Sequence, residues 1–185
     1  MSFIRSRRFL VAGGILLAVS AVILYAGMSF RFYTLPHNGM FPAYDAGQRL
    51  LIHRHSYRDI GEVARGDVVL FRHKERDGER IYLWRVVGLP GDLVELQGNE
   101  LRVNEKPLDY RTLRTEGAYS LVQEKNGEAA YAVAFDRHAA RVSLGSARIY
   151  MQADEFFLMG DNRLHARDSR FIGPVKFEAI RGKVR

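Results

Sequence analysis

Cysteine is absent from this chain of 185 residues. Disulfide bonds and thiolate metal sites are therefore excluded, and the redox compartment stays open because no cysteine is present to indicate it. Proline is scarce, with five residues, and there is a single tryptophan, Trp84. Neither internal repeats nor low-complexity tracts are visible, and an apolar share of 47% is that of a globular protein. The length accommodates one domain and a membrane segment.

The charge is strongly positive, with a formal value of +7 and a pI near 9.9. The cations are scattered over three regions, residues 5–8, 72–80 and 163–170, and no nucleic-acid-binding motif accompanies them. We therefore expect surface charge and contact with an anionic lipid bilayer, and no nucleic acid partner.

One long run lacks charge altogether. Residues 9–28 are uncharged, and twenty residues in a helix match a hydrocarbon core of about 30 Å. Arg5, Arg7 and Arg8 precede the run and only Arg31 follows closely. The positive-inside rule predicts a cytoplasmic N-terminus over residues 1–8, a transmembrane anchor over 9–30 and an extracytoplasmic domain over 31–185.

Two further inferences concern this run. Phe30, Phe32 and Tyr33 are placed as aromatic anchors at the outer membrane interface. A cleavable signal peptide is the alternative, because Val19, Ser20 and Ala21 include small residues near a plausible cleavage point. The apolar stretch continues beyond them, which favours a permanent anchor.

The rest of the chain predicts a mainly β protein. Short runs rich in branched and aromatic residues alternate with turn signals such as Asp77-Gly78 and Gly98-Asn99. The candidate strands cover residues 49–53, 67–71, 80–87, 93–96, 100–103, 130–135, 147–151 and 155–159. Residues 97–152 are more polar, and we expect them to form a small inserted β subdomain.

Four short blocks stand out in this part of the chain. The first, residues 35–42, reads LPHNGMFP, and the second, residues 66–71, reads GDVVLF. The third, residues 84–92, reads WRVVGLPGD, and the fourth, residues 160–170, reads GDNRLHARDSR. Each block alone is a common string. All four in this order, after an N-terminal apolar run, make chance similarity improbable.

Together the blocks resemble the bacterial type I signal peptidase family. That resemblance implies a fold of coiled antiparallel β-sheets at the outer face of the cytoplasmic membrane. It also implies a groove that binds an extended peptide by strand addition. No cofactor is implied. The matching framework positions, which we expect to shape the peptide groove or its floor, are Met40, Pro42, Arg85, Asp161, Asn162, Arg163, Asp168 and Arg170.

The reactive groups of that family are missing from the blocks. Its serine nucleophile is matched by Gly39 and its lysine general base by Trp84. The serine that orients the lysine is matched by Ala166, and the serine that assists the oxyanion hole is matched by His37. Glycine has no side chain to attack a carbonyl group, and the indole nitrogen only donates hydrogen bonds. Catalysis by a Ser–Lys pair at these positions is excluded.

Other residues invite alternative interpretations. Ser169 and His37 would form a new nucleophile and base if the fold brought them within hydrogen-bonding distance. His53 and His55 have the spacing of one strand face, and a metal site with His73 is conceivable. No carboxylate cluster accompanies them, so we expect ordinary surface histidines and no metal. We expect Asp168 and Arg170 to form a structural ion pair, as the resemblance implies.

These observations predict a single-pass protein of the bacterial cytoplasmic membrane that has the signal peptidase scaffold without its chemistry. Its expected partners are signal peptides of exported preproteins or a catalytically active signal peptidase. Two alternatives remain: an active serine endopeptidase with a non-standard nucleophile, and a structural component of a secretion or pilus system.

Overall fold

The computed structural model describes residues 2–97, 100–138 and 146–185, and for residues 2–12 the backbone alone. Its helices are α1 (Ser2–Ser29) and α2 (Ser169–Ile172), with 3-10 turns at Asn38–Met40, Ile60–Glu62 and Phe177–Ala179. The strands in the described residues are β1 (Phe30–Thr34), β2 (Arg49–His53), β3 (Val68–Glu75), β4 (Gly78–Gly88), β5 (Leu93–Gln97), β6 (Glu100–Val103), β7 (Lys106–Pro107), β8 (Asp109–Glu116), β9 (Tyr119–Asn126), β10 (Ala129–Asp136), β11 (Ser146–Tyr150), β12 (Glu155–Met159), β13 (Val175–Lys176) and β14 (Ile180–Val184).

The N-terminal apolar run forms α1. Its large apolar side chains from Ile15 to Met28 are exposed. Within the described residues, no helix combines the length and the apolar character that a membrane crossing requires. The side chains of residues 9–12 and of Arg5, Arg7 and Arg8, which the topology prediction uses, lie outside the described part.

The strand that follows the helix was not predicted. Phe30, Phe32 and Tyr33, expected as aromatic membrane anchors, belong to β1, which continues directly from Ser29. β1 pairs with β2 in antiparallel register, from Phe30 opposite His53 to Thr34 opposite Arg49. The pairing connects the end of α1 rigidly to the β domain.

The main sheet has seven strands in the order β1-β2-β14-β3-β4-β12-β13. All of its strand pairs are antiparallel. The largest hydrophobic cluster is built from its inward-facing side chains, with Phe71, Leu83, Trp84 and Phe156 among the most buried. The prediction of a mainly antiparallel β protein is therefore confirmed.

Two smaller sheets contain most of the residues between positions 93 and 150. One has the order β11-β5-β6-β7, and the other is a meander with the order β10-β9-β8. The strand β8 was missed because every one of its side chains is exposed, so its sequence has no apolar alternation. β9 was missed because its buried residues include the polar Glu124 and Asn126, which do not mark a buried face in the sequence. The β5–β6 pairing agrees with the predicted hairpin, although its turn at Gly98-Asn99 lies outside the described residues. The limits of the inserted subdomain stay a prediction.

Buried ion pairs connect the strands of the main sheet with the loop after β12. Arg85 on β4 donates two hydrogen bonds to Asp161, from Nε at 2.8 Å and from Nη2 at 2.6 Å. Its Nη1 donates to the carbonyl oxygen of Gly66 at 2.7 Å, and its guanidinium lies 4.4 Å from the centroid of the Tyr131 ring. Burial opposes charge on Arg85, but the hydrogen bonds and charge of Asp161 outweigh it and raise the pKa of the guanidinium.

A second buried pair fastens the meander to the same loop. Arg163 contacts both carboxylate oxygens of Glu124 on β9, and the Tyr131 hydroxyl donates to Glu124 at 2.7 Å. Burial of Glu124 disfavours its charge, but Arg163 lowers the pKa of the carboxyl group below its ordinary value. Backbone hydrogen bonds from Ala134 to Asp161 and from Arg163 to Ala134 complete the junction.

Breaking the first pair should destabilise the fold strongly. We expect Arg85→Met to lower the free energy of unfolding by about 3–5 kcal/mol, because Asp161 is then left buried and without its partner. Denaturant unfolding of the full chain in detergent measures the loss. Arg114→Met removes an exposed ion pair with Glu116 and should cost less than about 1 kcal/mol. Equal losses in the two variants would contradict a structural role for the buried pair.

Candidate functional site

The structure brings together the positions at which the reactive groups were expected. Trp84 on β4 lies against Gly39 in the first block and against Gly160 in the last, and Ala166 lies beside Gly160. Residues from distant parts of the sequence therefore form one cluster, which we call the Trp84 site, with His37 at its side. The site sits where β4, β12 and the 3-10 turn Asn38–Met40 meet.

Trp84 occupies the centre of this cluster and is only 1% exposed. Its ring stacks on His37, with centroids 5.3 Å apart, and on Tyr82, with centroids 6.0 Å apart. Its indole Nε1 is buried and has no hydrogen-bond partner. At the position where a general base was expected, the side chain is thus buried and makes no hydrogen bond through its nitrogen.

Gly39 has no room for a side chain. A Cβ atom built on it would lie 2.5 Å from Cη2 and 2.6 Å from Cζ3 of Trp84, well inside van der Waals contact. Gly160 is equally crowded, since its Cβ would overlap that of Ala166 and lie 2.6 Å from the Gly39 carbonyl oxygen. The indole of Trp84 therefore occupies the space in which side chains of residues 39 and 160 would lie.

The turn that carries Gly39 is held from two directions. The Gly39 amide donates to Nδ1 of His37 at 3.2 Å, so His37 caps the turn. Asn162 donates from its backbone to the Gly39 carbonyl at 3.0 Å and from its side chain to the Asn38 carbonyl at 3.1 Å. Met40 is fully buried in the core, and Pro42 follows Phe41 through a cis peptide bond.

Asp168 organises the last block. Its carboxylate accepts hydrogen bonds from the Gly160 amide at 2.9 Å and from the Arg170 amide at 3.2 Å, which caps α2. Arg170 returns two side-chain hydrogen bonds at 2.7 Å, so the expected ion pair is present. Asp161, Arg163, Asp168 and Arg170 are all held in such pairs, which makes them framework residues.

The rearranged pair of Ser169 and His37 is not assembled. Ser169 is 1% exposed, and its Oγ accepts a hydrogen bond from the Leu158 amide at 2.9 Å. His37 binds the Gly39 amide instead, and no hydrogen bond joins the two side chains in the described structure. Burial lowers the pKa of His37, so its ring is neutral near pH 7 and suited to accept the Gly39 hydrogen bond.

Two of the three histidines considered for a metal contact aromatic rings. His53 stacks on Phe30 with centroids 4.8 Å apart, whereas His73 meets the edge of Tyr82 at 6.4 Å. In the part of the chain that the structure describes, no group of three His, Asp or Glu residues could hold a metal ion.

Comparison with known proteins agrees with this architecture. The sequence model of the family described as signal peptidase, peptidase S26, matches residues 7–185. The chain belongs to this signal peptidase family. It is 32% identical over 167 residues to signal peptidase I of Bacillus caldolyticus, covering 90% of this chain and 84% of that protein. It is 30% identical to signal peptidase I of Pseudomonas fluorescens, covering 82% of this chain and 62% of that longer protein. The resemblance inferred from the four blocks is confirmed.

One relative has the same extent as this chain. Signal peptidase I V of Bacillus subtilis (strain 168) is 26% identical over 178 residues, which is 96% of each protein. The match runs over the whole β domain, so the blocks are parts of a continuous similarity.

Some residues in and around the site were not singled out as site residues from the sequence. Tyr82 precedes Trp84 by two residues, and strand alternation puts both on one face, a signal that was available. Glu124 had none, because it lies outside the four blocks, and its burial depends on Arg163 from a distant loop. Gly160 was recognised as part of a motif, but its contact with Trp84 follows from packing alone.

The crowding at Gly39 makes a thermodynamic prediction. Gly39→Ala should lower the free energy of unfolding by about 1–3 kcal/mol, because its methyl group overlaps the indole ring. In a Trp84→Ala background the same change should cost much less, which gives a favourable coupling energy of about 1 kcal/mol or more. Denaturant unfolding of the four proteins measures the cycle. Gly27→Ala, at a glycine with open space around it, is the control and should show no coupling.

The cap made by His37 predicts a pH dependence. Because burial lowers its pKa in the folded chain, the unfolded chain binds a proton more readily, and stability should fall as pH drops through about 6.5. Fluorescence of Trp84, the only tryptophan, during unfolding at several pH values measures this slope. His37→Asn should flatten it, while His138→Gln, at an exposed histidine, should leave it unchanged. An unchanged slope in His37→Asn would contradict the cap.

Proposed function

We propose that this member of the signal peptidase family is non-catalytic and binds extended peptide segments, from signal peptides of exported proteins or from an active signal peptidase. The observation that carries the first half of this proposal is the packing of Trp84 against Gly39. Peptide hydrolysis by a Ser–Lys pair needs a hydroxyl nucleophile and a neutral amine that takes its proton. Here a glycine and a buried indole stand at those positions.

Several residues support the loss of chemistry together. Serine at position 39 would collide with the Trp84 ring, and the neighbouring imidazole of His37 is occupied as a cap. Ser169, the alternative nucleophile, is buried with its Oγ bound to the backbone of β12. Small residues surround the Trp84 ring: Gly39 and Gly160 lie against it, and Ala166 lies beside Gly160. Several mutually compatible residues favour a protein adapted to the absence of catalysis over one that lost activity through a single substitution.

The second half of the proposal rests on an open strand edge. β4 pairs with the whole of β3 between Gly78 and Arg85, but β12 pairs with β4 only between Arg85 and Gly88. No other strand in the described residues covers the remaining edge of β4, which ends at the Trp84 site. Unpaired backbone groups of this kind accept an added strand and bind a peptide through main-chain hydrogen bonds.

We also propose that α1 anchors the protein in the cytoplasmic membrane with its N-terminus in the cytoplasm. The uncharged run of residues 9–28 and the exposed apolar side chains from Ile15 to Met28 support this placement. Arginines at positions 5, 7 and 8 favour the cytoplasmic side for the N-terminus. The β domain then lies outside, where exported proteins emerge.

Cleavage of a preprotein tests the loss of chemistry. The native chain, purified in detergent, should release no signal peptide, whereas the triple variant Gly39→Ser, Trp84→Lys, Ala166→Ser should gain activity. Gly39→Ser alone should stay inactive, because Trp84 fills the site. Cleavage by the native chain that disappears in Ser169→Ala would instead establish the alternative, an active serine endopeptidase with a non-standard nucleophile.

Binding of a fluorescent signal peptide tests the strand edge. We expect saturable binding. N-methylation of every second backbone amide of the peptide should abolish binding when it blocks the amides that face β4, and should leave binding intact when it blocks the other set, since a strand presents one set of amides to its neighbour. Trp84→Ala should tighten binding about fourfold, because space for one more buried methyl group is worth about 0.8 kcal/mol. An absence of binding, or equal loss in both registers, would favour the purely structural component.

A further inference from the structure

A second surface lies on the opposite face of the main sheet from the Trp84 site. On β4, Ile81 lines this surface, and by strand alternation it points away from the face that carries Tyr82 and Trp84. The surface is a groove of about 630 Å³ bounded by β1, the end of β2, β3, β4 and β14. We call it the basic groove, because its walls contain Arg31, Arg54, Arg72 and Arg181.

Three of these arginines have no acidic partner. Arg72 pairs with Glu79 at 3.0 Å, but Arg31, Arg54 and Arg181 lie beyond 4.0 Å of every carboxylate in the described structure. Arg181 donates from Nη1 to the carbonyl oxygens of Glu178 and Ile180, while its Nε is buried and unbonded. Glu79 also lines the groove and is paired with Arg72. The other three guanidinium groups have no described carboxylate within 4.0 Å, so together they make a site for an anion, and their planar donors match a phosphate group.

The groove also has an apolar part. Phe32 is 57% exposed and Ile81 is 48% exposed, and both line it beside the buried Ile52 and Leu70. Arg49 extends this margin, with its guanidinium 4.1 Å from the centroid of the Phe32 ring. A ligand that fits must combine a phosphate group with an apolar portion, which a free phosphate ion does not.

The position of the groove relative to α1 identifies the source of such a ligand. Arg31 is the second residue after the helix, and the Arg54 amide donates to the carbonyl oxygen of Ser29, the last residue of α1, at 2.7 Å. If α1 crosses the bilayer, these guanidinium groups lie at the level of the lipid headgroups. This step rests on the membrane anchor of the proposed function.

We propose that the basic groove binds the headgroup of an anionic phospholipid from the membrane in which α1 is anchored. The phosphate lies between Arg31, Arg54 and Arg181, and the glycerol and first acyl carbons cover Phe32 and Ile81. This contact fixes the β domain against the bilayer by the face that does not carry the Trp84 site. The open edge of β4 is thereby kept at a constant height above the membrane.

The test uses the full chain in an uncharged detergent, titrated with dihexanoyl phosphatidylglycerol while its thermal unfolding is followed. We expect saturable stabilisation, with an apparent affinity that falls between 50 and 500 mM salt, roughly the range over which surface charges become screened. Arg31→Gln/Arg54→Gln should weaken the affinity by about tenfold or more, since each arginine contributes to anion binding. Neither side chain makes a hydrogen bond within the described residues, so the variant should fold.

Matched controls separate lipid binding from general charge. Arg76→Gln/Arg111→Gln removes the same charge from exposed sites outside the groove and should bind as the native chain does. Dihexanoyl phosphatidylcholine, which has no net charge, should bind at least about tenfold more weakly. Binding of inorganic phosphate as strong as that of the lipid would overturn the proposal in favour of a free-anion site. The proposal would also be overturned if the native chain bound the two lipids with equal affinity, or if the two double variants bound phosphatidylglycerol with equal affinity.

Separate experiments distinguish failure of the lipid-binding proposal from failure of the proposed function. Extraction of native membranes with alkaline carbonate reports whether α1 is inserted, and the cleavage and peptide assays report the Trp84 site. Lipid titration in detergent requires neither. If α1 resists carbonate extraction but the chain does not bind phosphatidylglycerol, only the proposal on the basic groove is wrong. If the chain binds phosphatidylglycerol but carbonate releases it from the membrane, only the proposal on the membrane anchor is wrong.

Discussion

The ion pair between Arg85 and Asp161 is the constraint on which the site depends. Trp84 directly precedes Arg85, and Gly160 directly precedes Asp161, so two charge-assisted hydrogen bonds hold their neighbours against each other. The same guanidinium binds Gly66 and covers the ring of Tyr131, which connects the main sheet with the meander. Because both charges are buried, their geometry cannot relax toward water without a large cost in free energy.

Around this pair, the site is filled by packed side chains. Burying a tryptophan removes roughly 150–250 Å² from water, worth about 4–6 kcal/mol at 25 cal/mol per Å². The unbonded indole N–H costs about 1–3 kcal/mol, so the apolar burial outweighs it. A catalytic lysine in the same place would have to be buried and neutral, at a cost in stability. Trp84, with Gly39 and Gly160 against its ring, instead makes this place part of the apolar core.

The two proposed binding surfaces use opposite faces of one sheet. The open edge of β4 ends at the Trp84 site, and the basic groove lies behind it near the end of α1. Binding a lipid headgroup on one face and an extended peptide at the edge would hold the peptide parallel to the membrane surface. Such an arrangement suits a protein that meets segments as they leave the bilayer, with or without cutting them.

The sequence by itself determined the class of the fold and the residue types at the positions that match the family's blocks. Runs rich in branched and aromatic residues predicted β2 and β12, and the hairpin turn at Gly98-Asn99 predicted β6, each with the observed bounds. Four ordered blocks identified the family, and Gly39, Trp84 and Ala166 could be read within them without coordinates. Side-chain chemistry excludes a nucleophile at a glycine wherever the glycine lies.

Only the tertiary structure decided how these positions meet. That Trp84 covers Gly39 and Gly160, that Ser169 turns toward β12 and away from His37, and that Glu124 neutralises Arg163 all depend on contacts between distant segments. The basic groove is the clearest case, since Arg31, Arg54 and Arg181 come from opposite ends of the β domain. Sequence patterns report the local period of burial, whereas the register of paired strands sets which distant side chains share a face, and no local pattern encodes that register.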